Sequence, residues 1–174
     1  MTQRYALDFV IENGHNLTHQ GDGKKLRDYF CFESDVISPA DGVVVEVSNK
    51  IKDYEGVGDY SIDWKARDFR GNFVVIKHSK NEYSFIAHFK HNTIRVKKGE
   101  KIMQGQLIGQ CGNSGHSTEP HLHFHLQDHK IFWLATGLPI RFKRFSAKSE
   151  NKDLVIRIDD FAEKDDIVSN TLSE

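Results

Sequence analysis

Three histidines alternate with two apolar residues in the segment His121-Leu122-His123-Phe124-His125. In a β-strand successive side chains point to opposite faces, so the three imidazoles would share one face and the two apolar side chains the other. Neighbours on one face lie roughly 6.5 to 7 Å apart, which lets two imidazoles converge on one metal ion, whereas the first and third are roughly 13 Å apart. The spacing therefore predicts two working histidines and one spare at a metal site.

A hydrolytic zinc site usually has three protein ligands drawn from His, Asp and Glu, plus an open position for water. The chain has no H-E-x-x-H motif. The segment His116-Ser-Thr-Glu119-Pro120-His121 is similar to an inverted motif, but its spacing is one residue too long and the proline would break the required helix. The ligands must therefore come from separate strands.

Short runs rich in Val, Ile and Phe recur between turn-forming residues, which favours an all-β protein. The sequence predicts strands at 5–10, 36–38, 42–47, 72–78, 83–88, 106–112 and 121–127, with a further candidate at 154–158. Two polar segments, 15–27 and 52–71, have the composition of long loops, and the second contains Tyr54, Tyr60, Trp64 and Phe69. These aromatic side chains either line a binding groove or pack the loop onto the body of the protein.

The composition is that of an ordinary globular protein, with 174 residues, 38% hydrophobic residues and 28% charged residues. We expect one domain over 1–161 and an acidic, mobile tail over 162–174. The formal net charge of -1 gives no basic field for nucleic acid. Oligomeric state cannot be derived from these features.

The first residues lack the apolar run and cleavage site of a secretory signal, and no apolar segment has the length of a transmembrane helix. This leaves three possibilities for localisation: the cytoplasm, export by another route, or a trimmed product. The two cysteines, Cys31 and Cys111, can form one disulfide or remain two buried thiols.

Five ordered segments resemble the LytM/lysostaphin-type peptidoglycan endopeptidases, which are zinc enzymes of the bacterial cell envelope. They are S-P-A-D-G-V-V-V-E-V at 38–47, N-F-V-V-I-K-H at 72–78, I-A-H-F at 86–89, V-K-K-G-E-K-I-M-Q-G-Q-L-I-G at 96–109, and G-N-S-G-H-S-T-E-P-H-L-H-F at 112–124. The resemblance covers about 5–127. It implies an antiparallel β-sandwich or open barrel with long surface loops.

The resemblance also implies roles for individual residues. Asp8 and His123 correspond to zinc ligands of the family, and His121 and His88 to the pair that handles the water and the developing oxyanion. In this mechanism zinc lowers the pKa of its bound water towards about 7, and His121 accepts the water proton. His88 donates to the oxyanion. His125 receives no inherited role.

One position departs from the family. Its first motif reads H-x-x-x-D, and the residue four positions before Asp8 is Arg4, whose charged guanidinium cannot bind zinc. The missing ligand can be a histidine upstream of Met1, it can be His15 or His19, or the first strand can have a different register. Otherwise the site is degenerate.

The leading hypothesis is a zinc metalloendopeptidase that cleaves peptides of bacterial peptidoglycan or related short peptides. The alternative is a catalytically degenerate relative that binds peptidoglycan or a partner protein as a regulator. The segment at 96–109 also resembles biotinyl and lipoyl carrier domains, but it lacks the modifiable lysine that these domains present in a hairpin.

Overall fold

The computed structural model describes residues 2–57, 62–149 and 153–169. The chain divides into two compact units, Met1–Leu138 and Pro139–Glu174. Residues 58–61 of the predicted 52–71 loop, including Tyr60, lie outside the described residues, as does the end of the predicted tail from residue 170.

The first unit contains nine strands among its described residues. They are β1 (Leu7–Phe9), β2 (Asp35–Ile37), β3 (Gly42–Ser48), β4 (Asn72–Ser79), β5 (Glu82–Phe89), β6 (Lys101–Ile102), β7 (Leu107–Gln110), β8 (Leu122–Gln127) and β9 (Gly137–Leu138). Seven of them form one antiparallel sheet in the order β1-β8-β5-β4-β3-β6, with β9 paired to β8, while β2 and β7 form a separate pair. The sheet does not close on itself, so the predicted all-β, antiparallel, open architecture is confirmed.

The core lies on the two central strands β4 and β5. On one face Phe73, Val75 and Phe85 pack with Ala87 and Phe132 in a buried cluster. Fully burying a large apolar side chain stabilises the fold by about 1.5–3 kcal/mol. Because β8 pairs along β5, this cluster gives the histidine strand a rigid support.

The sequence predicted the main strands well, because their apolar runs end at turn residues. β4 extends one residue beyond the predicted 72–78, and β8 matches 121–127 within one residue. β1 is shorter than the predicted 5–10, since residues 2–5 form a turn closed by a hydrogen bond from the Ala6 amide to the Gln3 carbonyl. Strand pairing therefore starts only at Leu7.

The second unit is a three-stranded antiparallel sheet in the order β11-β10-β12. Its strands are β10 (Phe142–Lys148), β11 (Val155–Asp160) and β12 (Ile167–Ser169). β11 corresponds to the candidate strand at 154–158, and β12 lies within the predicted tail and pairs with β10. A single domain over 1–161 stays a prediction.

The described residues contain two short 3-10 turns, Leu26–Asp28 and Phe132–Leu134. Among these residues no helix is long and apolar enough to span a bilayer.

Candidate active site

Strands β1 and β8 bring a carboxylate and an imidazole face to face. Asp8 lies directly opposite His123 in the antiparallel register, so both side chains project from the same face of the sheet. Oδ1 of Asp8 is 2.8 Å from Nδ1 of His123. The imidazole is buried, with 9% of its side chain exposed, whereas 62% of the carboxylate side chain is exposed. The pair thus combines the buried imidazole of His123 with the solvent-exposed carboxylate of Asp8.

Two further imidazoles complete the cluster. His121 comes from the segment that enters β8, and its Nε2 is 3.7 Å from Oδ1 of Asp8. His88 comes from β5, and its ring centroid is 4.7 Å from that of His121 and 6.0 Å from that of His123. The backbone of His88 has φ +63°, in the left-handed region that non-glycine residues adopt mainly under a local constraint. The structure thus brings together the four residues that the sequence analysis selected.

Backbone carbonyls fix the proton positions of two of these rings. Nδ1 of His88 is 2.7 Å from the carbonyl oxygen of Ser114, and Nδ1 of His121 is 2.8 Å from that of Glu119. A carbonyl oxygen only accepts, so each ring must donate through Nδ1. In their neutral forms both histidines therefore present the lone pair of Nε2, and both can accept a proton.

Burial decides the charge of His88. Desolvation lowers its pKa to about 3, repulsion from His121 acts in the same direction, and the hydrogen bond to the Ser114 carbonyl acts against both. His88 is therefore neutral near pH 7. Its single proton is committed to Ser114, so it has none to donate until it gains a second.

The carboxylate of Asp8 is ionised at neutral pH. Desolvation raises its pKa, but the hydrogen bond with His123 and the attraction of His121, His123 and His88 outweigh this effect, and the pKa lies below its usual value. The cluster therefore combines one anionic oxygen with the ring nitrogens of neighbouring histidines. Oxygen and imidazole nitrogen are suitable ligands for zinc.

His125, the histidine to which the sequence analysis gave no role, contacts His123 directly. It is fully buried, it stacks on Phe85 with 4.9 Å between ring centroids, and its Nδ1 is 2.9 Å from Nε2 of His123. Its Nε2 is 2.8 Å from Oε1 of Gln127, which is also fully buried. Desolvation lowers the pKa of His125 to about 4, so its ring is neutral. The alternation in the sequence placed His125 on the correct face but gave no sign of this contact.

Arg4 lies away from the cluster. Its side chain is exposed, and its guanidinium carbon sits over the ring of Tyr5, 5.3 Å from the centroid. The cleft around the cluster is lined by Gln3 instead, and Arg4, His15 and His19 are not among its lining residues. Within the described part of the chain, no group of three or more His, Cys, Asp or Glu residues is arranged to hold a metal ion. Asp8 and His123 thus fit as two ligands, and the third is unassigned.

The cluster opens into a cleft of about 500 Å³. Besides the four predicted residues, its walls include Gln3, Phe69, Arg70 and His116, which the sequence analysis did not select as site residues. The guanidinium of Arg70 is held by a bidentate ion pair with Asp68, with contacts of 2.6 and 2.9 Å. The long-range fold brings these side chains to the cleft from separate loops, and His116 among them lies in the segment at 112–124 that resembles the family.

An aromatic rim extends from this cleft. His116 contacts Trp64 at 5.4 Å between ring centroids, and Phe69 contacts His116 at 6.1 Å and Trp133 at 5.5 Å. Trp64 and Trp133 are 78% and 70% exposed. Large exposed aromatic side chains beside a cleft are typical of a binding surface. Loop 52–71 thus contributes Trp64 and Phe69 to the rim, and Phe69 also packs against Phe132 of the buried cluster, so both sequence interpretations apply to this loop.

The chain also matches a known protein-family model. Residues 27–132 match Peptidase family M23, and the chain belongs to this family. The match includes His88, His121 and His123, whereas Asp8 precedes it.

Curated relatives include peptidoglycan endopeptidases. The chain is 45% identical over 58 residues to the peptidoglycan DD-endopeptidase ShyA of Vibrio cholerae, a match covering 33% of this chain and 13% of the relative. A longer match, 29% identical over 125 residues, is to an uncharacterised metalloprotease of Haemophilus influenzae and covers 71% of this chain and 22% of the relative. The chain therefore spans less than a quarter of the length of these proteins.

The solved structures of two catalytic domains are similar to this chain. One is a mutant catalytic domain of the prophage-encoded M23 protein EnpA from Enterococcus faecalis, with 22% identity, a TM-score of 0.46, and coverage of 75% of this chain and 94% of that domain. Another is the catalytic domain of lysostaphin from Staphylococcus simulans, with 19% identity, a TM-score of 0.45, and coverage of 75% and 85%.

Proposed function

We propose that this chain is a zinc-dependent endopeptidase that cleaves peptide bonds in bacterial peptidoglycan and acts in the cell envelope. The observation that carries the proposal is the convergence of Asp8 Oδ1 and His123 Nδ1 at 2.8 Å, beside the lone pairs of His88 and His121. Family membership supports a peptidase, and the names of the Vibrio relatives support a peptidoglycan substrate.

Asp8 and His123 would hold the zinc ion in this proposal. Zinc, when bound, polarises the scissile carbonyl and lowers the pKa of a water molecule towards about 7. The pair supplies one anionic oxygen and one ring nitrogen, which suits zinc, and leaves the solvent side of the carboxylate open to substrate.

His121 is the proposed general base. Its Nδ1 proton is held by the Glu119 carbonyl, and Ser117 Oγ lies 3.1 Å from the same nitrogen, so the ring orientation is fixed. Nε2 therefore faces the cleft with a free lone pair and can accept the proton of the attacking water. The ring would then be cationic next to the Asp8 carboxylate, which stabilises the charge.

His88 has a second role in this mechanism. Because its Nδ1 proton is committed to Ser114, it can donate to the developing oxyanion only after Nε2 gains a proton, and the neighbouring His121, once it has taken the water proton, would supply it. The negative charge that develops on the substrate favours this uptake, since a nearby anion raises the pKa of an imidazole. His88 would thus be neutral in the free enzyme and charged at the transition state.

The test separates metal binding from catalysis. Bound zinc per chain and cleavage of purified peptidoglycan are measured for the wild type and four single alanine variants. We expect Asp8→Ala and His123→Ala to lose both properties. We expect His121→Ala and His88→Ala to keep zinc and lose cleavage. A wild type that binds no zinc and cleaves nothing would exclude the enzyme.

A second candidate is a non-catalytic domain that binds peptidoglycan or a partner protein. It is favoured by the observation that, among the described residues, no group of three or more His, Cys, Asp or Glu is arranged to hold a metal ion. The same experiment distinguishes the two functions, because the binding domain would sediment with insoluble peptidoglycan and release no fragments.

If His121→Ala abolishes zinc binding as well as cleavage, then His121 is the third ligand. Its Nε2 lies 3.7 Å from Asp8 Oδ1, close enough for both atoms to reach one ion. In that case His88 would be the remaining proton acceptor.

A further inference from the structure

A chain of three hydrogen bonds, two of them buried, leads from a backbone carbonyl to the proposed ligand His123. Its first member is Gln127, whose side-chain nitrogen is 2.7 Å from the carbonyl oxygen of His129. This oxygen can only accept, so the amide NH2 of Gln127 must face it. The orientation of the amide is thereby fixed, and Oε1 points at Nε2 of His125, 2.8 Å away.

The fixed amide determines the tautomer of His125. Oε1 of Gln127 is an acceptor, so Nε2 of His125 must carry the proton that it receives. A neutral imidazole has one proton, and Nδ1 of His125 is therefore a lone pair. That lone pair lies 2.9 Å from Nε2 of His123, which must in turn donate.

The proton on Nε2 of His123 determines the state of Nδ1, the nitrogen that faces Asp8. When neutral, this ring has its proton on Nε2, so Nδ1 directs a lone pair at the Asp8 carboxylate 2.8 Å away. Two acceptors at this distance repel each other unless a proton or a metal cation lies between them. The side-chain nitrogen of Gln3 also approaches Nε2 of His123, but its distance of 3.5 Å is at the outer limit of a hydrogen bond.

We propose that His125 and Gln127 are positioning residues that hold the Nε2 proton of His123 and thereby keep Nδ1 available for a metal cation shared with Asp8. The inference rests on the proposed role of Asp8 and His123 as ligands. Residues that hydrogen-bond to a ligating histidine fix its tautomer and raise its basicity. Both positioning residues are fully buried, and the stacking of His125 on Phe85 holds the geometry.

The direct test is the tautomer of His123 in the metal-free protein. The chain is labelled with 15N-histidine, and long-range proton–nitrogen correlation spectra show which ring nitrogens carry protons. We expect a proton on Nε2 of His125 and on Nε2 of His123, whether or not His123 has a second proton on Nδ1. A proton on Nδ1 of His123 alone, or on Nδ1 of His125 alone, would overturn the proposal.

A variant tests the effect on the metal. His125→Phe keeps the ring stacked on Phe85 but removes the acceptor for His123, which is then free to donate through Nδ1 to Asp8. We expect this tautomer in the spectrum, and zinc affinity measured by chelator competition should fall roughly 10–100-fold. Unchanged affinity and an unchanged tautomer in a folded His125→Phe variant would contradict the proposal.

The matched control is His78→Phe on β4. His78 does not line the cleft, and its hydrogen bonds go to Ser84 and the Asp41 carbonyl. This variant should keep the wild-type zinc affinity, and loss of affinity in both variants would contradict a specific role for His125.

The spectrum also separates this inference from the proposed function. If Nε2 of His123 carries a proton in a wild type that binds no zinc, the zinc enzyme is excluded and the hydrogen-bond chain still stands. If His123 carries a proton on Nδ1 alone in a wild type that binds zinc, the hydrogen-bond chain is excluded and the zinc enzyme still stands.

Discussion

At the scale of single residues, a group outside the cleft determines which ring nitrogen of each site histidine carries the proton. His88 and His121 donate to backbone carbonyls, and His123 contacts a side chain that is itself fixed by Gln127. Three rings are thereby oriented without help from a ligand. Such preorganisation lowers the cost of assembling a reactive geometry, because the groups need not reorient when the substrate binds.

Arg4 supplies a prediction at this scale. Its side chain is exposed over Tyr5 and does not line the cleft, so Arg4→Ala should change zinc affinity and cleavage rate by no more than about twofold, as is usual for an exposed side chain without partners in the site. The measurement is a chelator competition assay together with a steady-state rate. Gln3→Ala is the comparison, because Gln3 does line the cleft and approaches His123. A tenfold change in Arg4→Ala would show that the guanidinium reaches the metal site.

At the scale of elements, a close contact between two loops positions His88. Gly115 has φ +81°, and a Cβ atom there would lie 2.4 Å from the backbone nitrogen of Gly71. The preceding residue, Ser114, accepts from His88 through its carbonyl and from the Asn72 amide through its hydroxyl. Any displacement of this loop therefore moves the group that orients His88.

A glycine pair tests this contact. Gly105 has nearly the same φ, +80°, but a Cβ atom there meets nothing within 4 Å. Gly105→Ala should cost only the backbone strain of about 1–2 kcal/mol. Gly115→Ala should cost a further 1–3 kcal/mol or so for the clash and should also lower activity. Unfolding in denaturant and cleavage rates measure both effects, and equal losses in the two variants would refute the role of the contact.

The aromatic rim gives a second prediction for an element. Trp133 and Leu134 occupy the same 3-10 turn and are 70% and 68% exposed, but Trp133 also contacts Phe69 of the cleft wall. Trp133→Ala should raise KM for a soluble peptidoglycan fragment several-fold and leave kcat nearly unchanged, since it removes binding that ground and transition states share. Leu134→Ala should alter neither constant. A fall in kcat with constant KM for Trp133→Ala would show that the rim acts on the chemical step.

The strands were more predictable than the site. Strands β4, β5 and β8 could be predicted from their apolar runs, because the periodicity and the flanking turns of such runs are local properties of the sequence. The contacts of His125 could not be predicted, because they depend on the path of the chain after β8, which places the His129 carbonyl within reach of Gln127. The contributions of Gln3, Arg70 and His116 were equally hidden, since no local pattern shows which loops meet at a cleft.

At the scale of the whole molecule, the two cysteines lie in contact although they belong to distant parts of the first unit. Cys31 and Cys111 are both buried, and their Sγ atoms are 3.2 Å apart although the residues are 80 positions apart in sequence. Sγ of Cys31 also lies 3.8 Å from the carbonyl of Phe9, which follows the proposed ligand Asp8. Next to Cys111, the amide of Gly112 donates to the carbonyl of His88. A bond between the two sulfurs would therefore tie together segments that carry the site.

The last prediction concerns this pair. The hydrogen bond with Cys31, in which either sulfur can be the donor, and burial together raise the pKa of Cys111. Mild oxidation should convert both thiols to a disulfide, which thiol titration in denaturant detects. A disulfide that closes a loop of this length raises the free energy of unfolding by about 4.5 kcal/mol in the chain-entropy model. Unfolding curves of oxidised and reduced protein measure the gain, and Cys31→Ala with Cys111→Ala should show no difference between the two conditions. If the oxidised wild type is no more stable than the reduced form, closure of the bond strains the surrounding strands enough to cancel the entropic gain.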